Sequence, residues 1–589
     1  MDTSSATAQD HLRKAIDGEI KVSEQVTREL KYRRNALAPI SRLPPETLAE
    51  IFSLLPFSAK FYEDVPYLEW IRVTHVCHRW REIALTFPYL WNHIHFTKLT
   101  LAGTTELLAR AKMSPLHCEA DFFRWNEARF KAFGRQLEAH ISHTRHLTIS
   151  GDFPTELEPL VSPAPALVSL SMANSSFPST LSHCTIPDSL FNGTAPKLTR
   201  VELRDCGITW TSPLLKGLQI LKIWAPSEQA RPTLGDWLAA LNQMSHLKTL
   251  HLSNATPAVS IDNPLMSEPQ RTVTLPSLTH FDITASAKGC ALALAHLVLP
   301  ALISLHVTSV SQRDDVRLLI PYVAQNAHGP QDTAPLQTIM FSGEATYAEI
   351  AAWTVPYPHV EDCNLGTMIR DSASARLVLT VRPDTDSEWR NGTDTVIFDA
   401  MLSHLPLNAI STLSALNNSR LSEEVWLSHA PRLTMLKRAF LVPTAVRAFR
   451  EMLEEDVPPN GLPRVPQLTK LVLSQVVLTA LRTYHLRDML VKRREHGTPL
   501  EVLDLRTCIG TDRAIQLLSG VVGNVQWPAA TLKVGLPAFF NWERRVGPFD
   551  EEERTDDDEY DDGAGPLYAG MDDDDEDDDD FDLDNFVDH

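Results

Sequence analysis

The sequence predicts an α/β chain: a small all-α module, then an irregular solenoid of short strands and returning segments, then a disordered acidic tail. Two amphipathic helical patterns fill residues 40–96, an apolar-x-x-apolar-x-apolar unit recurs from about residue 100 onward, and Asp and Glu dominate residues 550–589. Each unit ends in period-two alternation, the pattern of a short strand with one face inward. A strand and a return element, repeated, stack into a solenoid with a parallel sheet along one face. An ordinary α/β domain with recurrent strands is the alternative, since the spacing is uneven. The expected divisions are 1–38, an amphipathic helical leader; 39–98, the helical module; 99–545, the repeats; and 546–589, the tail.

In the leader, Leu12, Ile16, Ile20, Val26, Leu30 and Leu37 recur at roughly helical spacing, while Glu19, Ser23 and Arg33 interrupt the heptad seam. A solvated helix resting on the next module is the preferred reading, and a dimerising coiled coil the alternative.

In the module, Pro44 and Pro45 stand where a helix can begin without losing a needed N–H, and Leu48, Ile51, Phe52 and Leu55 follow at spacings of three and four. A second helix is expected over about residues 70–85. Val73, Val76, Cys77, Trp80, Ile83 and Ala84 would share one face, with His75, His78, Arg79, Arg81 and Glu82 largely on the other. Pro88 stops it, and Leu90, Trp91 and Ile94 can pack back. So short a segment cannot enclose both stripes, so part of its apolar face is expected to meet another protein.

The run Leu43-Pro44-Pro45-Glu46-x-Leu48-x-x-Ile51-Phe52-x-x-Leu55, followed by Val73-x-x-Val76-Cys77-x-x-Trp80-Arg81-x-Ile83-Ala84-x-x-x-Pro88-x-Leu90-Trp91, resembles the F-box of fungal F-box proteins. The resemblance implies a helical module that docks on the Skp-type adaptor of a cullin–RING ubiquitin ligase. The adaptor-binding residues would be Leu43, Pro44, Leu48, Ile51, Phe52, Val76, Trp80, Leu90 and Trp91. The segment between the two helices departs from the pattern: it is long and holds Pro56 and Pro66, which enlarges the turn.

The apolar triplets begin at Leu167, Leu198, Leu218, Leu247, Leu278, Leu302, Leu336, Leu468 and Leu500, with weaker copies at Thr144 and Val360. No triplet is placed in residues 370–430. Two units extend as Leu203-x-x-Cys206 and Leu505-x-x-Cys508, a pattern that resembles the cysteine-containing leucine-rich repeats of F-box proteins and implies a leucine-rich-repeat-like solenoid. Residues flanking the inward positions point out of the open sheet. The candidates for holding a protein target are therefore Arg200, Glu202, Arg204, Lys222, Trp224, His251, Asp282, His306, Asp504 and Arg506.

Composition narrows the function classes. The net charge of −21 is all in the tail: residues 550–589 hold 22 acids and one arginine, leaving 53 acids and 53 bases in the rest. A neutral body and an acidic tail disfavour nucleic acid. Seven scattered cysteines without C-x-x-C predict reduced thiols in a cytoplasmic or nuclear protein. The N-terminus has no apolar core for a secretory signal, and the longest apolar run, residues 291–305, is too short to span a bilayer, so no membrane association is expected. No phosphate loop, dinucleotide fingerprint, zinc-protease or nucleophile-elbow motif occurs. His140-x-x-His143-x-x-His146 straddles a helix end and a strand, so neither a metal nor a cofactor is expected. Val491-Lys492-Arg493-Arg494 reads as the exposed end of a helix, with a nuclear-import segment as the alternative.

The reading is a non-catalytic substrate-recognition subunit of a Skp–cullin–F-box ubiquitin ligase, linking the adaptor, and through it a cullin, to a protein target. The alternative is a leucine-rich-repeat scaffold that binds basic proteins through its acidic tail, independent of ubiquitination.

Overall fold

The computed structural model describes residues 3–55, 67–122, 127–151, 160–174, 184–224, 231–257, 272–310, 313–327, 334–344, 347–356, 374–383, 393–417, 421–454 and 464–527. The segment with Pro56 and Pro66, the triplet at Val360 and the acidic tail lie outside them. Two compact units divide the chain, Met1–Ala258 and Val259–His589.

The first unit opens with α1 (Thr3–Ala36), a 3-10 turn (Pro39–Arg42) and α2 (Pro45–Ser53). α2 begins as expected: Pro45 occupies the first helical position, and the Pro44 carbonyl accepts the Leu48 N–H at 3.1 Å. The second expected helix is broken in two. A 3-10 stretch (Glu69–His75) meets α3 (His78–Thr86) through Cys77, which is extended with φ −161° and ψ 165°. That kink turns Val76 away from Val73 and Ile83: they are buried, whereas Val76 is 58% exposed.

After a 3-10 turn (Pro88–Trp91) the sheet begins with β1 (His93–His95), α4 (Leu101–Ala111), β2 (Leu116–Phe122), α5 (Glu127–His140) and β3 (Thr144–Gly151). It continues through β4 (Ser169–Asn174), β5 (Cys184–Ile186), β6 (Arg200–Arg204), β7 (Cys206–Ile208), β8 (Ile220–Trp224), α6 (Leu234–Asn242) and β9 (Thr249–Ser253). Strands β1, β2, β3, β4, β6, β8 and β9 pair in that order, all parallel, and β5 pairs with β7 beside them. The register aligns the predicted triplets. Leu147, Leu170, Val201, Leu221 and Leu250 form one buried row, and Ile149, Met172, Leu203, Ile223 and Leu252 the next.

The second unit runs β10 (Val273–Thr274), β11 (His280–Ala285), α7 (Ala287–Ala295), β12 (Leu297–Val298), β13 (Ser304–Val310) and α8 (Arg313–Ala327). Then come β14 (Thr338–Glu344), β15 (Tyr347–Trp353), β16 (Leu377–Arg382), α9 (Thr393–His404), β17 (Thr412–Asn417) and α10 (Glu423–His429). Last are β18 (Arg438–Leu441), α11 (Pro443–Glu454), β19 (Lys470–Leu473), α12 (Ala480–Glu495), β20 (Val502–Asp504), α13 (Asp512–Ser519) and β21 (Asn524–Gln526). Their order is β11-β13-β16-β15-β14-β17-β18-β19-β20-β21. Every pairing is parallel except those of β15, which is antiparallel to both neighbours.

Helix starts recur in one form: Thr100, Thr233, Ser286, Ser422, Thr479 and Thr511 each accept the N–H of the residue three further on. Each such cap is worth about 1 kcal/mol and fixes where the chain turns from strand into helix.

Candidate functional site

The helical module has a closed interior and, among the described residues, a partly apolar exterior. Leu48, Phe52, Trp70, Val73, Ile83, Ala84, Leu90 and Trp91 are buried. Trp91 donates Nε1–H to the Ala84 carbonyl at 2.8 Å and meets the Trp70 ring edge-on at 5.1 Å, and Phe52 packs on Trp80 at 5.0 Å. Arg79 donates to the Leu43 carbonyl at 2.7 Å and to the Ser41 carbonyl, tying α3 to the turn that opens α2. The spacing alone assigns Arg79 to an outward face; its partners 36 and 38 residues earlier become visible only in three dimensions.

Of the nine residues expected to touch an adaptor, Leu48, Phe52, Leu90 and Trp91 present almost no surface, because their side chains form this interior. Leu43 and Trp80 are half-buried and Pro44 is exposed. Ile51 at 41% and Val76 at 58% face solvent, and so does Leu54 at 65%, which the sequence reading left out. Leu54 closes α2 three residues after Ile51, so the two share a flank of that helix.

On the open side of the first unit's sheet, six of the expected target-binding residues come together on β6, β8 and β9. Glu202 binds Arg200 at 2.6 Å and Lys222 at 3.0 Å. Trp224 lies between the Arg204 guanidinium and the His251 ring, each 4.5 Å from its centroid. Burial pushes the Glu202 carboxyl up, but Lys222 and Arg200 outweigh it and hold the group below the usual carboxylate range. Nearer the module, His117 stacks between His93 at 4.4 Å and His146 at 4.3 Å. That row joins three strands and carries no signal in linear spacing. His140 and His143 meet edge-on at 5.2 Å while His146 stacks on His117, so the three do not converge on one point.

In the second unit Asp282 and His306 are register partners on β11 and β13. Asp504 departs from expectation: it is buried, accepting the Arg506 backbone N–H at 3.2 Å and its guanidinium at 2.8 Å. Arg493 is also buried, since its guanidinium donates to the carbonyls of Arg464 at 3.0 Å and Val465 at 3.1 Å. Midway along this sheet the positions opposite Ile339 and Phe341 are apolar, with Met340, Val378, Leu416, Phe440 and Val472 forming a buried cluster with Trp353.

A cavity of about 190 Å³ between α4 and α5 is lined by Phe96, Thr97, Leu99, Thr100, Leu101, Thr104, Phe122, Ala132, Phe133 and Gln136, with no ionisable group among them. Burial raises the Cys118 and Cys290 thiols to about 12 and Cys508 to about 11, so they stay protonated at neutral pH. Among the described residues, no helix is long and apolar enough to cross a membrane.

Residues 40–97 match the family model described as F-box-like and form an F-box-like domain. No curated protein matches the chain. Among solved structures, an internalin (inlF) from Listeria monocytogenes is 13% identical, with 66% of this chain and 82% of that one covered and a TM-score of 0.26. The yeast Rad7 and Elc1 complex gives 12% identity, 84% and 94% coverage and a TM-score of 0.23.

Proposed function

We propose that the chain is the substrate-recognition subunit of a Skp–cullin–F-box ubiquitin ligase, joining a Skp-type adaptor, and through it a cullin, to a protein target. The F-box-like domain at residues 40–97 is the observation that carries this reading. Exposed Pro44, Ile51, Leu54 and Val76 supply apolar surface for the adaptor, with Leu43 and Trp80 at its margin. Leu48, Phe52, Leu90 and Trp91 act indirectly, by shaping that surface from inside. The chain itself contributes no reacting group. It holds a target beside a recruited ubiquitin-conjugating enzyme, raising the effective concentration of the target's lysines. The cluster of Arg200, Glu202, Arg204, Lys222, Trp224 and His251 is the proposed contact for that target. Buried protonated thiols suit the reducing cytoplasm or nucleus.

The test is co-purification of a Skp-type adaptor with the full chain and with Ile51→Glu, Leu54→Glu and Val76→Glu. All three positions are exposed, so circular dichroism should stay unchanged while adaptor recovery falls at least about tenfold in the affected variants. Undiminished recovery with all three would overturn the docking surface, and no adaptor on the parent chain would overturn the function.

A further inference from the structure

We infer that α1 is a self-association helix that pairs antiparallel with α1 of a second copy of this chain. Leu12, Ile16, Ile20, Val22, Val26 and Leu30 are all exposed, from 49% at Ile16 to 63% at Leu12 and Val22. At 100° per residue they fall within an arc of about 160°, a continuous apolar stripe. The α1 ring that meets the F-box-like domain is Tyr32, edge-on to His78 at 6.3 Å, and Tyr32 lies on the side of the helix opposite the stripe. The stripe therefore points away from the domain that α1 adjoins. Three charged residues, Glu19, Arg33 and Arg34, stand within it, and Arg33 also pairs with Glu29 of its own helix at 3.0 Å.

Those charges select the partner. Against a membrane, all three would be pressed into hydrocarbon. In a parallel, in-register pair, Glu19 would face Glu19 and Arg33 would face Arg33. Inverting the second helix about Val26 instead sets each residue against the one equally far on the other side. Glu19 then meets Arg33 twice, Val22 meets Leu30 and Val26 meets Val26. Between residues 19 and 33 the stripe is complementary to its own inverted copy in both apolarity and charge, an overlap about 21 Å long at 1.5 Å per residue.

Sedimentation velocity of the full chain over a range of concentrations tests this. The parent chain should show a concentration-dependent dimer. Glu19→Arg should weaken it at least about tenfold by setting arginine against arginine, and Glu19→Arg combined with Arg33→Glu should restore it. A parallel pair already tolerates like charges there, so it would not respond to the single reversal or recover with the double. A chain that stays monomeric, an unresponsive Glu19→Arg, a failure of the double exchange, or binding to anionic vesicles without dimerisation would each overturn the proposal. Adaptor recovery should be the same in all variants, which separates this result from the ligase reading.

Discussion

Arg376, Arg432 and Arg493 perform one task at three places in the second unit: each spends its guanidinium on backbone carbonyls of an earlier turn. Arg376 donates to Asn326 at 2.8 Å, Ala327 at 3.4 Å and Leu302, joining the end of α8 and the approach to β13 to the start of β16. Arg432 reaches the carbonyls of Leu402 and Leu405. A repeat leaves orphan carbonyls wherever a helix ends, and a planar cation with five donors can satisfy several at once. Burial lowers the pKa of Arg376 and brings Arg493 to about 10, so Arg493 remains charged at neutral pH. Arg376→Met keeps the apolar stem and strands three buried carbonyls. It is expected to cost about 3 kcal/mol in chemical denaturation, and a loss below about 1 kcal/mol would show that the clamp does not hold these elements together.

At the scale of elements, small departures from regularity decide what is exposed. Had residues 69–86 formed one helix, Val76 would lie on the stripe with Val73 and Ile83; the extended Cys77 turns it out, and the exposed apolar surface there exists because of it. The ends of β2 and β3 depend on a similar detail. Gly151, paired with Phe122, has φ +99°, and a Cβ at that position would overlap the Phe122 backbone N, C and O atoms. Neither side of that contact is a flexible side chain. Gly151→Ala is expected to destabilise the first unit by more than about 2 kcal/mol, from backbone strain and collision together. A melting temperature equal to the parent's would refute the close approach. β15 is the other irregular element: its antiparallel insertion brings β16 back beside β13, so strands 67 residues apart, from Val310 to Leu377, become neighbours.

For the whole molecule, the division of charge suggests a division of labour. The body balances 53 acids with 53 bases, and the tail beyond residue 549 carries the entire net charge. Removing residues 550–589 should therefore leave adaptor recovery and melting unchanged while bringing the net charge to zero and lowering solubility near neutral pH. If that deletion instead abolishes every interaction, the tail is the working part and the scaffold reading replaces the ligase reading.

The sequence by itself determined the helical module and most of the repeat frame, because a buried strand row imposes an apolar triplet that linear spacing displays. The triplet went unread at Leu436-x-x-Ala439-x-Leu441 and Ile410-x-x-Leu413-x-Ala415, which form β18 and β17, because alanine at one inward position weakens the pattern. Only the tertiary structure decided which apolar residues of the module are interior and which are surface, since an amphipathic stripe carries no mark distinguishing them. It likewise decided the His93–His117–His146 row, the burial of Asp504 and the Arg79 clamp. Each depends on register or on a kink that joins residues far apart in the chain, and such contacts leave no period in the sequence.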